Sequence, residues 1–471
     1  MAGLHYLGRP TLVDYNALSS VIEGMLKLNV SEDGTGKALA KNFIHVINAH
    51  DTPRWDYDPH QKLFSLAYSK VTMFRRHYEV LKQRLLRAEQ FRGLMSIKAI
   101  KGQKTLDRKL LFGVLSFIEE GRLYLEDLED NIRLDLTNVD SFVPALYTET
   151  SMVVVGGSPN GDCFTVEFIS PPPLESRAQS TETISYPNLL AGSAIADSML
   201  QFRALEKEYM DAAVVILSDV WLDCARTLAK VEMLFRGFES ATVPAAFVIM
   251  GPFVSNLHRG TPALGALHRV LSNLAAMIHR YPTICRQSKF ILVPALDDPL
   301  APKILPRPPL PIELLEPFKH YSIDCVFASN PARLYIFTKE ILLFRRDCTV
   351  ALKKNLIPEL SRDTTDQCGT FRAVLEQAHL CALSLAIQPR AWEYDHALRV
   401  YPSPDFLVIG ERSRPTASRE TDDCLGINPG SFATSEFSFA LLYPMLGKIE
   451  AWYCSLSITN PSIVNNKDPV D

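Results

Sequence analysis

Apolar positions along this chain fall into three patterns in turn, and each pattern marks a different kind of element. In the first part, Leu18, Val21, Ile22, Met25 and Leu26 recur at steps of three and four, as do Leu39, Phe43, Ile44 and Ile47. That spacing predicts helices through residue 50, parted by the Gly34- and Gly36-containing turn SEDGTGK. An extended stretch with Pro53 and Pro59 leads to a second helical pattern: Val71, Phe74, Tyr78, Leu81, Leu85 and Ala88. Its other faces carry Arg75, Arg76, Lys82, Arg84 and Arg87. From Leu110 the period becomes two. LLFGVLSFIEEGRLYLEDLEDNIRLDLTN reads as three strands, with turns at Glu119-Glu120-Gly121 and at EDLEDN. A further hairpin turns at Pro159-Asn160-Gly161. Short strands and tight turns with no helix between them predict a small barrel of the OB type.

SPPPLESRAQSTET, from Ser170, reads as a linker. Beyond Asp211, apolar strand-length runs (AAVVILSD, AAFVIMG, KFILVPA) alternate at first with helix patterns at 225–238 and 262–281. This predicts a largely parallel sheet. Later runs (DCVFAS, RLYIFTKEILLF, DFLVIG, CLGIN, FSFALLYP) have little helix between them, so a second sheet is expected to pack on the first. The predicted fold class is α/β, α+β across several domains. Its parts are a helical region at 1–50, an extended segment and basic helix at 51–92, a barrel at 93–175, a linker at 176–210 and an α/β unit at 211–471.

Charge changes this picture locally. The net charge is only −4, so nothing draws the whole molecule to a polyanion. Lys70 to Lys109, however, holds twelve Lys and Arg against Glu79, Glu89 and Asp107, and Glu119 to Asp140 holds eight acids against Arg122 and Arg133. These blocks read as solvated faces or as surfaces for different partners. The nine cysteines include no Cys-X-X-Cys pair, which fits reduced thiols and neither a zinc ribbon nor a disulfide framework. With no membrane-length apolar run, a soluble intracellular protein is expected.

Candidate chemistry centres on AAVVILSDVWLD, where an apolar strand runs into Asp219 and Asp223. Strand ends of this kind are where α/β enzymes put metal ligands. A dinuclear phosphoesterase needs Asp-X-His here, a bridging Asp after the second strand, and Asn-His after the third, so that two cations can activate a water between them. The strands come in that order, but Trp221 stands in the first His position, Pro252 in the bridging position, and Ala295 and Leu296 in the Asn-His positions. None of these four ligates a cation. The sequence also lacks Gly-X-Ser-X-Gly, His-X-His and a Walker loop. His258, His268, His279, His320, His379 and His396 read as packing or surface residues. No catalytic residue, metal or cofactor is expected, and Asp219 reads as an acid bonded to nearby backbone.

Four stretches carry a resemblance: LSDVWLD, ILPRPPLP, HALRVYPSPDFLVIGER and CLGINPGSF resemble the B-subunits of replicative DNA polymerases, in particular the epsilon type. YEVLKQRLLRAEQF and GRLYLEDLEDNIRLDLTN resemble the segments leading into and forming that family's OB domain. The resemblance covers about Ile47 to Pro444. It implies an OB domain packed on a calcineurin-like phosphoesterase β-sandwich flanked by helices and catalytically dead. It also implies a nuclear, non-catalytic scaffold in chromosomal replication and repair, bound in a heteromeric complex to the cysteine-rich C-terminal region of the polymerase catalytic subunit. Other small polymerase subunits and replicative helicase components are implied partners, and DNA is met mainly through the complex. The family's helical N-terminal domain, linked to helicase contact, matches the shorter start of this chain poorly.

Two other readings remain open: an active metallophosphoesterase using Asp219 and Asp223 in a remodelled site, and a single-strand-binding OB protein. Against the latter stand Glu126, Asp127, Glu129 and Asp130 in the connection between the second and third barrel strands, where they repel phosphate. Candidate phosphate contacts are Arg75, Arg76, Lys82, Arg84 and Arg87. ILPRPPLP reads as a rigid connection rather than an exposed polyproline ligand.

Overall fold

A computed structural model describes residues 38–52, 57–58, 63–64, 70–137, 139, 141–184, 202–255, 262–360, 369–453 and 464–465. The helical expectation for residues 1–37 and His258 both lie outside the described residues.

Within the barrel, the five strands are Lys109–Glu119, Arg122–Glu126, Asn131–Asp135, Met152–Asn160 and Cys163–Ser170. The first pairs antiparallel with both the second and the fourth. The second pairs with the third, the third runs parallel to the fifth, and the fifth returns to the fourth. That path closes on itself, so no barrel strand has a free edge. Alternation fills the interior with Leu111, Leu115, Leu123, Leu125, Ile132, Leu134, Val153, Val155, Phe164 and Val166. Gly113 permits a tight approach, because a Cβ there would lie 2.5 Å from the Glu126 carbonyl.

The α/β unit holds two sheets. In the first, Val214–Leu217, Ala246–Met250, Lys289–Val293 and Cys325–Phe327 run parallel, and Ser438–Tyr443 then Lys448–Tyr453 extend it antiparallel. The second is ordered Ile44–Asn48, Ala332–Ile336, Lys339–Arg345, Phe406–Gly410, Cys424–Asn428, Thr416–Thr421. Val214, Ile216, Val248 and Ile291 from one sheet and Leu334, Ile341, Leu343 and Val408 from the other share one core. The outer face of the first sheet is covered by helices Ala225–Ser240 and Ala263–His279. On the second sheet, Leu342, Phe344, Leu407 and Ile409 pack under Phe371–Leu383 and Leu398. Central strands covered on both faces explain why these segments read as unbroken apolar runs.

Two sequence expectations need correction. Ile44 and Ile47 lie on a strand, Ile44–Asn48, paired antiparallel with Ala332–Ile336, not on a helix. Nor is the described start of the expected linker without structure, although residues 185–201 of it lie outside the described residues. Arg177–Ile184 is helical, and Arg177 reaches Glu340 at 2.9 Å, Asp405 at 3.6 Å and the Ser403 carbonyl at 2.6 Å.

The basic helix Lys70–Arg87 joins barrel to α/β unit. It buries Met73, His77, Tyr78, Leu81, Arg84 and Leu85, while Val71 is 65% exposed. Tyr78, Leu81 and Leu85 pack with Phe112, Met152 and Val154 of the barrel and Ala378 of the α/β unit. Gln377 adds a direct tie, accepting from the Met152 N–H at 2.8 Å and donating to its carbonyl at 3.0 Å.

Candidate functional site

Asp219 sits two residues past strand Val214–Leu217, fully buried, at φ +59°. A left-handed backbone is costly for a residue with a Cβ, and its side-chain contacts offset that cost. Oδ1 accepts from Arg345 Nη2 at 3.2 Å, Trp221 Nε1 at 3.2 Å and Arg412 Nε at 3.3 Å. Oδ2 accepts from the Ser431 hydroxyl at 2.5 Å. The backbone is held as well, with Phe432 N–H donating to the Ser218 carbonyl at 2.7 Å and Ala433 N–H to the Asp219 carbonyl at 3.3 Å. The carboxylate is therefore bonded mainly to side chains, two of them guanidinium groups, and not to backbone as the sequence suggests.

Arg345, the last residue of strand Lys339–Arg345, is the centre of this arrangement, and sequence reasoning does not find it. Its side chain is 3% exposed. Nε donates to the Gly251 carbonyl at 2.7 Å, and Nη1 donates to the Gly410 carbonyl at 2.8 Å and to Asp347 at 3.4 Å. Asn330 holds its backbone in place: Oδ1 accepts from Arg345 N–H at 3.0 Å, and Nδ2 donates to the carbonyls of Arg345 at 2.8 Å and Pro294 at 3.0 Å. Strand ends from both sheets thus meet at one cation. Arg412 lies above it, half-exposed, with its backbone N–H on Asp347 at 2.8 Å.

Pro252, Ala295 and Leu296 follow the second and third strands of the first sheet. Pro252 follows Gly251, which lies so close to Asp298 that a Cβ would sit 2.0 Å from Oδ2. Asp298 accepts from the N–H groups of Phe253 at 2.7 Å and Ala295 at 2.8 Å. Burial nevertheless pushes its carboxyl up to about 6. Leu296 offers only a carbonyl, 3.4 Å from Arg307 Nη1. Buried Arg307, from ILPRPPLP, also gathers the carbonyls of Pro299 and Ala301, which shapes the rim and leaves that proline run little freedom as an exposed ligand. Asp223 does not join Asp219; it is exposed and accepts from Ser255 N–H at 2.9 Å and its hydroxyl at 2.7 Å. Among the described residues, no three His, Cys, Asp or Glu side chains converge as metal ligands.

Of the histidines noted in the sequence, none among the described residues enters this site. His268, His279 and His320 are exposed. His379 is fully buried: its Nδ1 accepts the Cys381 N–H at 2.9 Å, which leaves Nε2–H to donate to Asp395 at 3.1 Å. Burial alone would raise the Asp395 carboxyl, but His379, Arg399 and Arg390 hold it well below the ordinary range. His77 stands against the His379 ring, centroids 5.1 Å apart, and bonds the Gln377 carbonyl at 2.5 Å. His396 bonds the Thr52 carbonyl at 3.2 Å. These are joints between segments.

The candidate phosphate contacts divide. Arg84 is buried and spends its guanidinium on the carbonyls of Leu375, Pro172 and Glu376, and burial pushes it down to about 10. Arg87 grips Glu175 through two bonds of 2.7 Å and donates to Tyr401 at 2.6 Å. Both are committed to protein, which corrects that part of the expectation. Arg75 is exposed, and Arg76 and Lys82 are half-buried. The oppositely charged blocks also meet each other: Lys101 pairs with Asp130 at 2.7 Å, and Asp127 accepts the Ile97 N–H at 2.7 Å. The hairpin at Gly161 is tied to neighbouring chain: Gly102 N–H donates to its carbonyl at 3.1 Å and its own N–H to the Gln103 carbonyl at 2.8 Å.

A closed OB-type barrel clamped to a two-sheet α/β unit, with an arginine–aspartate pair at the strand ends, defines the class. Residues 214–418 match the family of DNA polymerase alpha/epsilon B-subunits, and residues 67–173 match the DNA polymerase epsilon subunit 2-like OB-fold domain. DNA polymerase epsilon subunit 2 of Homo sapiens is 33% identical, covering 87% of this chain and 83% of its own. The DNA polymerase epsilon B-subunit of Arabidopsis thaliana is 30% identical over 94% of this chain and 88% of its own, and that of Schizosaccharomyces pombe 26% over 83% and 73%. The chain belongs to the family of DNA polymerase epsilon B-subunits, also called subunit 2.

Proposed function

We propose that this chain is the non-catalytic scaffold of a nuclear DNA polymerase epsilon complex, binding the C-terminal region of the catalytic subunit. In this reading the two-sheet unit is a phosphoesterase-type sandwich whose metal site has been filled in. Asp219 is the surviving ligand, and Trp221, Pro252, Ala295 and Leu296 are the lost ones. The observation that carries it is the Arg345 guanidinium, bonded to Asp219 and to the carbonyls of Gly251 and Gly410 in the space between the strand ends. A buried cation fixed by the chain's own carbonyls leaves no open position at which a metal could present water.

Binding is then the remaining work of so large a surface. The barrel and α/β unit are tied by Arg84, Arg87, Gln377 and Arg177, so a partner meets one rigid body. An interface of about 1,200–2,000 Å² is the scale such a stable assembly needs. Helicase components and other small polymerase subunits belong to the same reading as further partners. The acids flanking Asp127 oppose single-strand binding by the barrel itself. The test is affinity purification of the tagged chain from its own cells. Recovery of the polymerase catalytic chain in equal amount is the expected result, and a soluble chain recovered alone would refute the reading.

A further inference from the structure

We propose that Arg345 is the resident cation of a metal-type site: a guanidinium, supplied by the chain, that does the cross-linking a divalent ion does in an enzyme of this architecture. The inference rests on the filled-site reading above and adds what fills it.

The groups bonded to the guanidinium are all oxygens. Asp219 and Asp347 supply carboxylates, and Gly251 and Gly410 supply carbonyls. Hard oxygen donors from several strand ends are the coordination set of Mg²⁺, Mn²⁺ or Ca²⁺, not of zinc. These donors come from both sheets: Asp219 and Gly251 follow strands of the first, Gly410 ends a strand of the second, and Asp347 lies two residues past Arg345. A planar fork with five N–H donors satisfies such a ring. Trp221 and Arg412 cap Oδ1 of the same aspartate, and Ser431 takes Oδ2, so the carboxylate has no lone pair turned to solvent. Close packing around the site agrees: a Cβ on Gly410 would lie 2.4 Å from Ser218 Oγ across the core, and one on Gly251 2.0 Å from Asp298. Tethering the cation removes any dependence of the two-sheet core on free metal.

The experiment compares thermal melts of the full chain as wild type, Arg345→Ala, Arg345→Lys and Arg345→Ala with Asp219→Asn, in EDTA, in millimolar MnCl₂ and in millimolar ethylguanidinium. Wild type should melt at the same temperature in all three. Arg345→Ala should melt about 5–10 °C lower, the scale of a broken buried ion pair, and Arg345→Lys should fall less. MnCl₂ or ethylguanidinium should restore part of the Arg345→Ala loss, and the double variant, with the aspartate neutralised, should lose that rescue. An unchanged Arg345→Ala melt, or a loss that neither cation restores, would overturn the proposal. If Arg345→Ala does not fold, the double variant decides: a folded, soluble protein supports the charge pairing as the essential element, and an insoluble one overturns it. Metal analysis of the wild type separates the two claims. A stoichiometric metal there would end the filled-site reading, whereas a metal-free wild type with no rescue of Arg345→Ala would end only this inference.

Discussion

Lowering the pH should loosen the joint between the barrel and the α/β unit through His77. The ring is buried between the helix Lys70–Arg87 and the Gln377–His379 segment, where its Nε2 meets the Gln377 carbonyl at 2.5 Å. Burial, with the His379 ring beside it, pushes its pKa from 6.5 down to about 3. In the unfolded chain an imidazole takes up its proton below about 6.5. Between those two values the unfolded state binds the extra proton, so stability is full above 6.5 and falls as pH drops toward 3. At about pH 5.5 the unfolded chain gains on the order of 1 kcal/mol from this one group. His77→Gln retains an N–H donor for the carbonyl and cannot titrate. Urea unfolding followed by helical circular dichroism, at about pH 7.5 and about pH 5.5, should therefore show the wild type losing on the order of 1 kcal/mol more than the variant. Asp298 and Glu376, pushed up to about 6 and about 7 by burial, act with the opposite sign. They are common to both proteins and cancel in the comparison. Equal losses in the two proteins would refute the assignment to His77.

Further predictions concern positions whose geometry leaves little room. Gly251→Ala should lower the melting temperature by several degrees in a thermal scan, since its Cβ would lie 2.0 Å from Asp298 Oδ2. Asp298→Asn turns an amide N–H toward one of the two backbone N–H groups that the carboxylate now accepts, at Phe253 and Ala295, and should cost about 1–3 kcal/mol in urea unfolding. Arg84→Met strands three carbonyls at the joint and should cost about 3–5 kcal/mol, read as faster protease cleavage between barrel and α/β unit.

Much of the scaffold is legible in the sequence because its signals are local. The barrel strands alternate in residue type over Lys109–Asp135, and Gly121 and Gly161 mark turns at φ +70° and +69°. The parallel strands read as apolar runs because helices and a second sheet cover them. What the sequence hides depends on distant chain. Ile44 and Ile47 have helical spacing, but the edge of a sheet nearly 300 residues on claims them. The helix at Lys70–Arg87 shows one apolar stripe in its sequence, yet it is packed on two sides, which is why His77 and Arg84 are buried and Val71 is not. Arg345 has no local mark at all: in EILLFRRD it is one of two adjacent arginines, and only the meeting of four strand ends gives it a role. The stretches CLGINPGSF and HALRVYPSPDFLVIGER do point to the site, through Ser431, Gly410 and Arg412, although nothing in their spacing tells what they surround.

The helix that joins the two parts sets an order of events during synthesis. Its histidine contacts Gln377, 300 residues further along the chain, and its Arg84 contacts Leu375, 291 residues on. At about 5–20 residues per second, a ribosome needs roughly 15–60 s to make that stretch. Throughout this interval the apolar and basic faces of Lys70–Arg87 that the α/β unit will cover remain uncovered on the nascent chain. The barrel, built from one continuous segment, can close early; the joint cannot. A protein with this wiring should gain from helpers that shield the waiting helix, and its yield in a foreign host should respond to their supply more than its final stability would suggest.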